Sequence, residues 1–319
     1  MTISEHLQEL HGLPVFDFPE AGFEAKLPPA STVAWRIAVD EYGENSDEKW
    51  TSAFERFAAS VDTSEVRALI VGMWLEPYDS GSAPVVEALA GAAGRFPALR
   101  ALFLGDITGE QCEISWINQG LVTPLLDAYP ELLEFGVRGG QDLVFPPVRH
   151  KRLRSLTVET GGLDGEVVRG IAASELPSLE RLDLWLGTSE YGATAEIRDL
   201  EPFLTGTRLP RLTHLALRNS DMQDLIADGL AGAPVVARLE SLDLSMGTLG
   251  DEGAQALLGG QPLTHLKKLD LHHHFIGEAM AKRLAGALEP AGVEVDLADG
   301  HEIPDPDGRE DHRYTAVAE

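Results

Sequence analysis

The chain has 319 residues, 44% of them hydrophobic and 7% aromatic, which is enough apolar side chain for a continuous core and argues against general disorder. It carries 25 Lys and Arg against 52 Asp and Glu, a formal charge of -27 whose field repels nucleic acid and anionic lipid and favours a basic partner. The single cysteine, Cys112, excludes an internal disulfide and a paired-cysteine metal motif. No run approaches the ~20 apolar residues of a membrane span, and the acidic start lacks a signal peptide's basic-then-apolar order, so a cytoplasmic setting is expected.

Residues 1–32, with Val15, Phe16 and Phe18, are expected to cap one end of the fold. Beyond them a six-residue pattern, LxxLxL, recurs as VRALIV, LRALFL, LLEFGV, LRSLTV, LERLDL, LTHLAL, LESLDL and LKKLDL. Its fourth position falls on Leu69, Leu102, Phe135, Leu156, Leu182, Leu215, Leu242 and Leu269, at spacings of 21 to 33. Extending the series places Ile37 before it and Val295 after it, giving about ten units over 33–299. Each six-mer reads as a short strand.

Between strands the apolar period changes to about 3.6, which predicts helices. Trp50, Phe54 and Phe57 form one such stripe, and Leu249, Gly253, Ala254 and Leu257 return 27 residues later as Ile276, Met280, Ala281 and Leu284. Pro84 suits a first helical position, and Asp164, Asp221 and Asp251 suit helix starts. Pro97, Pro130, Pro177 and Pro210 each stand two residues before a strand motif, where proline ends a helix. The unit from Phe135 to Leu156 contains Phe145, Pro146 and Pro147 and is expected to cross without a regular helix. The polar tail, 300–319, is expected to fray, and its DPDGRED run lacks the acid that a calcium loop needs six residues after Gly308.

These units resemble the leucine-rich-repeat superfamily, and the longer ones resemble its ribonuclease-inhibitor type. The resemblance implies an α/β solenoid, or horseshoe, with a parallel sheet on the concave face and helices on the convex face. The segment 106–140 also resembles a group of bacterial repeat proteins; that likeness implies an accessory role beside biosynthetic or modifying enzymes and no particular activity.

With positions 4 and 6 pointing into the core, positions 5 and 7 project from the concave sheet. Position 5 reads Ala38, Ile70, Phe103, Gly136, Thr157, Asp183, Ala216, Asp243, Asp270 and Asp296, apolar early and acidic late. Position 7 reads Asp40, Gly72, Gly105, Arg138, Glu159, Trp185, Arg218, Ser245, His272 and Ala298. Trp185 with Arg218, flanked by Asp183, is the expected anchor for a protein or peptide partner, joined by Phe103, Asp243, Asp270 and His272. An alternative has Trp185 covered by a loop of its own repeat and the aspartates as ordinary solvated strand residues. Extra residues at 76–83, 106–116 and 187–197 place Tyr78, Trp116 and Tyr191 on one rim, which completes the expected binding surface.

Two other readings stay open at this point. Asp243, Asp270 and His272 could serve a metal-assisted hydrolase or modifying enzyme, although strand alternation turns His273 away and His274 suits a turn-stabilising position. The stack could also serve structural assembly. No nucleotide, hydrolase or zinc-protease motif is found and Cys112 lacks a nearby histidine, so neither catalysis, a cofactor nor a metal is expected.

Overall fold

A computed structural model describes residues 3–23, 25–39, 47–301 and 313–318. One sheet holds β1 (Glu9–Leu10), β2 (Leu13–Asp17), β3 (Ala34–Ile37), β4 (Ala68–Val71), β5 (Ala101–Leu104), β6 (Glu134–Arg138), β7 (Ser155–Glu159), β8 (Arg181–Gly187), β9 (His214–Ser220), β10 (Ser241–Asp243), β11 (Lys268–Asp270) and β12 (Glu294–Asp296), in chain order. The β1–β2 pair is an antiparallel hairpin, and every later pair is parallel. Crossovers are made by α1 (Trp50–Ser60), α2 (Ala83–Gly91), α3 (Pro124–Ala128), α4 (Gly165–Ala173), α5 (Ile197–Thr205), α6 (Gln223–Ala231), α7 (Asp251–Gly259) and α8 (Glu278–Leu288). A parallel strand needs such a return path, and the helices' apolar stripes fill one side of the sheet. Between β6 and β7 no helix forms: Leu143, Phe145, Val148 and Leu153 are buried along an extended crossover, beside exposed Pro146 and Pro147.

The fourth-position residues pair across the whole stack, from Leu69↔Leu102 to Leu269↔Val295, and all but the last are at most 2% exposed. Each such leucine contributes about 2 kcal/mol by leaving water. In the first unit the register differs from expectation by two residues, because Trp35 and not Ile37 pairs with Leu69. Strand side chains alternate with period 2, so both residues point inward and alternation cannot separate them. Arg36, not Ala38, therefore takes the concave position, and Asp40 lies outside the described residues. One further strand precedes it, with Phe16 paired to Trp35.

Helix starts are linked from unit to unit. Asp164 accepts from Glu166 N within its own helix, whereas Asp251 accepts from Gly277 N of the next unit. Asp224 likewise accepts from Gly250 N and Gly253 N, so these two helices have free amides closed by the preceding repeat. Asp221 does not cap the helix that follows it and accepts instead from Ser189 N of the preceding unit.

Both ends of the chain fold onto the face opposite the helices. Leu7, Leu10, Leu13 and Val15 pack on Ala34, Ala68, Ile70, Ala101 and Phe103, which lie at concave positions. Residues 302–312 of the tail lie outside the described residues, but 313–318 do not fray: Thr315, Ala316 and Val317 are buried against Ile114, Trp185 and Met246. Small apolar residues at the end of a polar segment gave no sign of this packing.

Candidate functional site

The concave positions of β8–β11 bring together most of the expected site residues. Arg218 on β9 donates from Nε and Nη2 to the two oxygens of Asp183 on β8, at 2.9 and 2.6 Å, and lies 3.5 Å from Asp243 on β10. Its guanidinium carbon also sits 5.0 Å from the Trp185 ring centre. Burial pushes Asp183 above the usual carboxylate range against the opposing pull of Arg218, and Asp243 shifts the same way for the same reason. Burial alone would lower Arg218, yet the charge of Asp183 outweighs it and holds the guanidinium firmly protonated.

On β11, Asp270 accepts from His272 Nδ1 at 2.7 Å and from Lys268 Nζ at 2.9 Å. Burial would raise Asp270, but these bonds outweigh it and hold the carboxyl well below its ordinary range, and the bond to Asp270 raises His272. Asp270, His272 and Asp296 have ligand atoms within 4.8 Å of one another, the one such group among the described residues. The alternative set of Asp243, Asp270 and His272 is therefore altered, with Asp296 in place of Asp243, whose carboxylate is held by Ser245 and Arg218. Lys268 and His272 already satisfy Asp270, so a cation entering here would have to displace an ammonium. His274 is a structural residue: 3% exposed, it accepts from Ile276 N and faces the Leu297 carbonyl.

Two expected contact residues are not accessible. Phe103 is 4% exposed because the arm at 3–15 lies over it, and Arg138 covers its ring at 5.5 Å. Trp185 is 8% exposed because Ile114, Ala316 and Val317 close over it, so the cover comes from the chain terminus and a distant loop as opposed to its own repeat.

On the rim, Trp116 is 61% and Tyr78 45% exposed, while Tyr191 is half-buried. The first two loops are joined: Asn118 donates from its backbone to Pro77 O and from Nδ2 to Tyr78 O. Cys112 is buried within the second loop.

A buried ionic chain went unforeseen. Asp17, Arg36, Asp106, Arg138 and Glu159 alternate in sign across five units, from exposed Asp17 at one end to Asp106, fully buried between both arginines at 2.9 and 3.1 Å. Asp106 also accepts from Leu7 N and so pins the amino-terminal arm. Position 7 pointed to Arg138 and Glu159, but Asp106 follows its strand in a loop and Arg36 was lost with the register.

Parallel strands registered on repeating leucines, with helices on one face and charged rows on the other, define a leucine-rich-repeat solenoid. No protein-family model and no curated protein matches the chain. Among solved structures, a protein from Bacteroides fragilis superposes with a TM-score of 0.81 and 26% identity over 90% of this chain and 78% of that one. An internalin from Listeria monocytogenes superposes with a TM-score of 0.30 and 14% identity over 73% of this chain and 80% of that one, too loose a likeness to carry weight. The superposition on the Bacteroides fragilis protein shows a shared fold and does not extend to the ribonuclease-inhibitor type. Among the described residues no helix is long and apolar enough to cross a membrane.

Proposed function

We propose that this solenoid is a recognition scaffold that holds a positively charged, extended segment of a protein partner along β8–β12, with the exposed rim aromatics Tyr78 and Trp116 as secondary contacts. One observation carries the reading. The two chain ends cover the apolar part of the concave face, and the position-5 row left beyond them reads Asp183, Ala216, Asp243, Asp270 and Asp296, four carboxylates that Arg218 and Lys268 offset only in part. Stacked carboxylates on adjacent strands lie about 4.8 Å apart and repel, and a cationic ligand relieves that repulsion. Trp and Tyr are prominent among residues that dominate binding energy, which favours Tyr78 and Trp116 over neighbouring polar rim residues.

Fluorescence-polarisation titration with a lysine-rich peptide and a glutamate-rich peptide of equal length tests this. The lysine peptide should bind saturably, weaken as ionic strength rises toward about 0.5 M, and weaken again in a chain carrying Asp243→Asn and Asp296→Asn. Equal affinity for the two peptides would remove the proposal.

A further inference from the structure

The carboxy-terminal segment lies along a row of turns that repeats from unit to unit. Asn219, Met246 and His273 stand 27 residues apart at the ends of β9, β10 and β11, and all three are non-glycine residues in the left-handed region, with φ of 54°, 66° and 51°. Each contacts the segment. His273 Nε2 meets Tyr314 O at 3.0 Å, Met246 O accepts from Ala316 N at 2.8 Å, and Asn219 closes on both backbone groups of Val317. In that clamp Nδ2 donates to Val317 O at 2.5 Å while Oδ1 accepts from Val317 N at 3.0 Å.

The rest of the seat selects side chains. Arg313 donates to Asp224 at 2.6 Å and to Thr248 O at 2.9 Å. Tyr314 meets the rings of His273, Phe275 and His301 edge-on or tilted, and Ala316 and Val317 enter the apolar patch of Trp185, Ile114 and Met246. Room for the backbone comes from missing β-carbons: one on Gly161 would stand 2.1 Å from Ala318 O, and one on Gly250 would stand 2.6 Å from Arg313. The fit is incomplete, since Thr315 Oγ1 is buried without a hydrogen-bond partner among the described residues, which costs stability.

We propose that this rim groove is a peptide-binding site, separate from the acidic row, for an extended segment with a basic residue, an aromatic residue, a small polar residue and two small aliphatic residues in that order, and that residues 313–318 are its resident occupant. The side-chain amide of Asn219 reads backbone alone, as a peptide site requires. The Asp224 and Trp185 ends supply polarity and direction. Tethering within one chain gives the resident segment a high effective concentration, so a partner's segment competes only when it fits better or when the tether is cut.

The test uses the full chain with a protease recognition site inserted between Pro306 and Asp307. After cleavage, a fluorescein-labelled peptide with the sequence of residues 313–318 should displace the resident segment and bind saturably at one site per chain. A scrambled peptide of the same composition should bind at least roughly tenfold more weakly. Asn219→Asp, which keeps the turn but replaces the donor with an oxygen, should weaken the native-sequence peptide by about the same factor. A cut segment that survives gel filtration and never exchanges with excess peptide would show a permanent part of the fold and overturn the proposal. Equal binding of the scrambled peptide to the cleaved wild-type chain would overturn it also, whatever the variant does.

Discussion

Arg218 lies over the Trp185 ring, 5.0 Å from its centre, while both ends of its fork close on Asp183. A single side chain thus neutralises one carboxylate of the acidic row and covers the aromatic ring on which the tail also packs. Arg218→Met retains much of the apolar stem but strands Asp183 and Asp243. Removing one member of a buried pair costs about 3–5 kcal/mol, and partial exposure reduces this to about 2–3 kcal/mol. Urea unfolding at pH 7 measures it. Because burial already raises the pKa of Asp183 and of Asp243, the variant's deficit should shrink as pH falls and these carboxyls take up protons. A deficit independent of pH would show that packing on Trp185, and not charge, carries the effect.

Asp106 serves the other half of the concave face. It is fully buried, pairs with Arg36 and Arg138, and accepts from Leu7 N. Asp106→Asn keeps the shape but leaves two guanidinium groups facing an amide, and the expected loss is about 3 kcal/mol. The arm should loosen before the solenoid melts, so limited proteolysis should cut within residues 3–13 of the variant under conditions where the parent chain resists.

His274 suits a turn-stabilising position in the repeat, and its surroundings hold it in that role. Ile276 N reaches one ring nitrogen at 3.0 Å, and the other lies 3.2 Å from Leu297 O. His274→Ala leaves a buried donor and a buried acceptor unpaired, at a cost of about 2–3 kcal/mol. His274→Asn, whose amide offers both a donor and an acceptor, should recover part of that loss. If the asparagine variant is as unstable as the alanine one, ring volume and not hydrogen bonding is what the site needs.

The fold was legible because a solenoid repeats its core, so Leu182, Leu215, Leu242 and Leu269 announce one register many times over. Alternation from that register also placed Asp183, Arg218, Asp243, Asp270 and His272 on one face, where their contacts confirm them as neighbours. What covers that face was not legible. Asn219 and Val317 stand 98 residues apart, and Leu7 and Asp106 stand 99 apart, so each contact occurs once and leaves no periodic trace. Phe103 and Trp185 were read as exposed from a local rule that is correct for a bare strand. The same rule fails where a distant segment returns to pack on it. Trp35 and Ile37 show a second limit, since two inward residues of one strand are interchangeable until a neighbour sets the pairing.

Acidification should release the tail. Tyr314 O is a carbonyl and only accepts, so His273 Nε2 carries the proton of that bond, and a neutral His273 must then accept at Nδ1. His301 Nε2, 3.0 Å away, is the donor, which leaves His301 Nδ1 to accept from the Tyr314 hydroxyl at 3.3 Å. The three groups form a closed ring that runs in one direction only while His273 is neutral. Burial and the neighbouring His301 lower the pKa of His273 below its ordinary value of 6.5. The folded state therefore binds fewer protons than the unfolded one as pH falls below 6.5, and this contribution to stability is complete above that value and lost on descent toward the lowered pKa. His272 runs the other way, since its raised pKa adds stability below 6.5 and loses it as pH rises; it bonds to Asp270, and its charge is a further, smaller cause of the lowered pKa of His273. Hydrogen exchange of the Ala316 and Val317 amides, corrected for the intrinsic effect of pH, should thus accelerate between about pH 7 and pH 5. The amides of β9 and β10 should stay protected over the same range. Uniform acceleration across both sets would mean that the solenoid opens as a whole and that the ring holds nothing by itself.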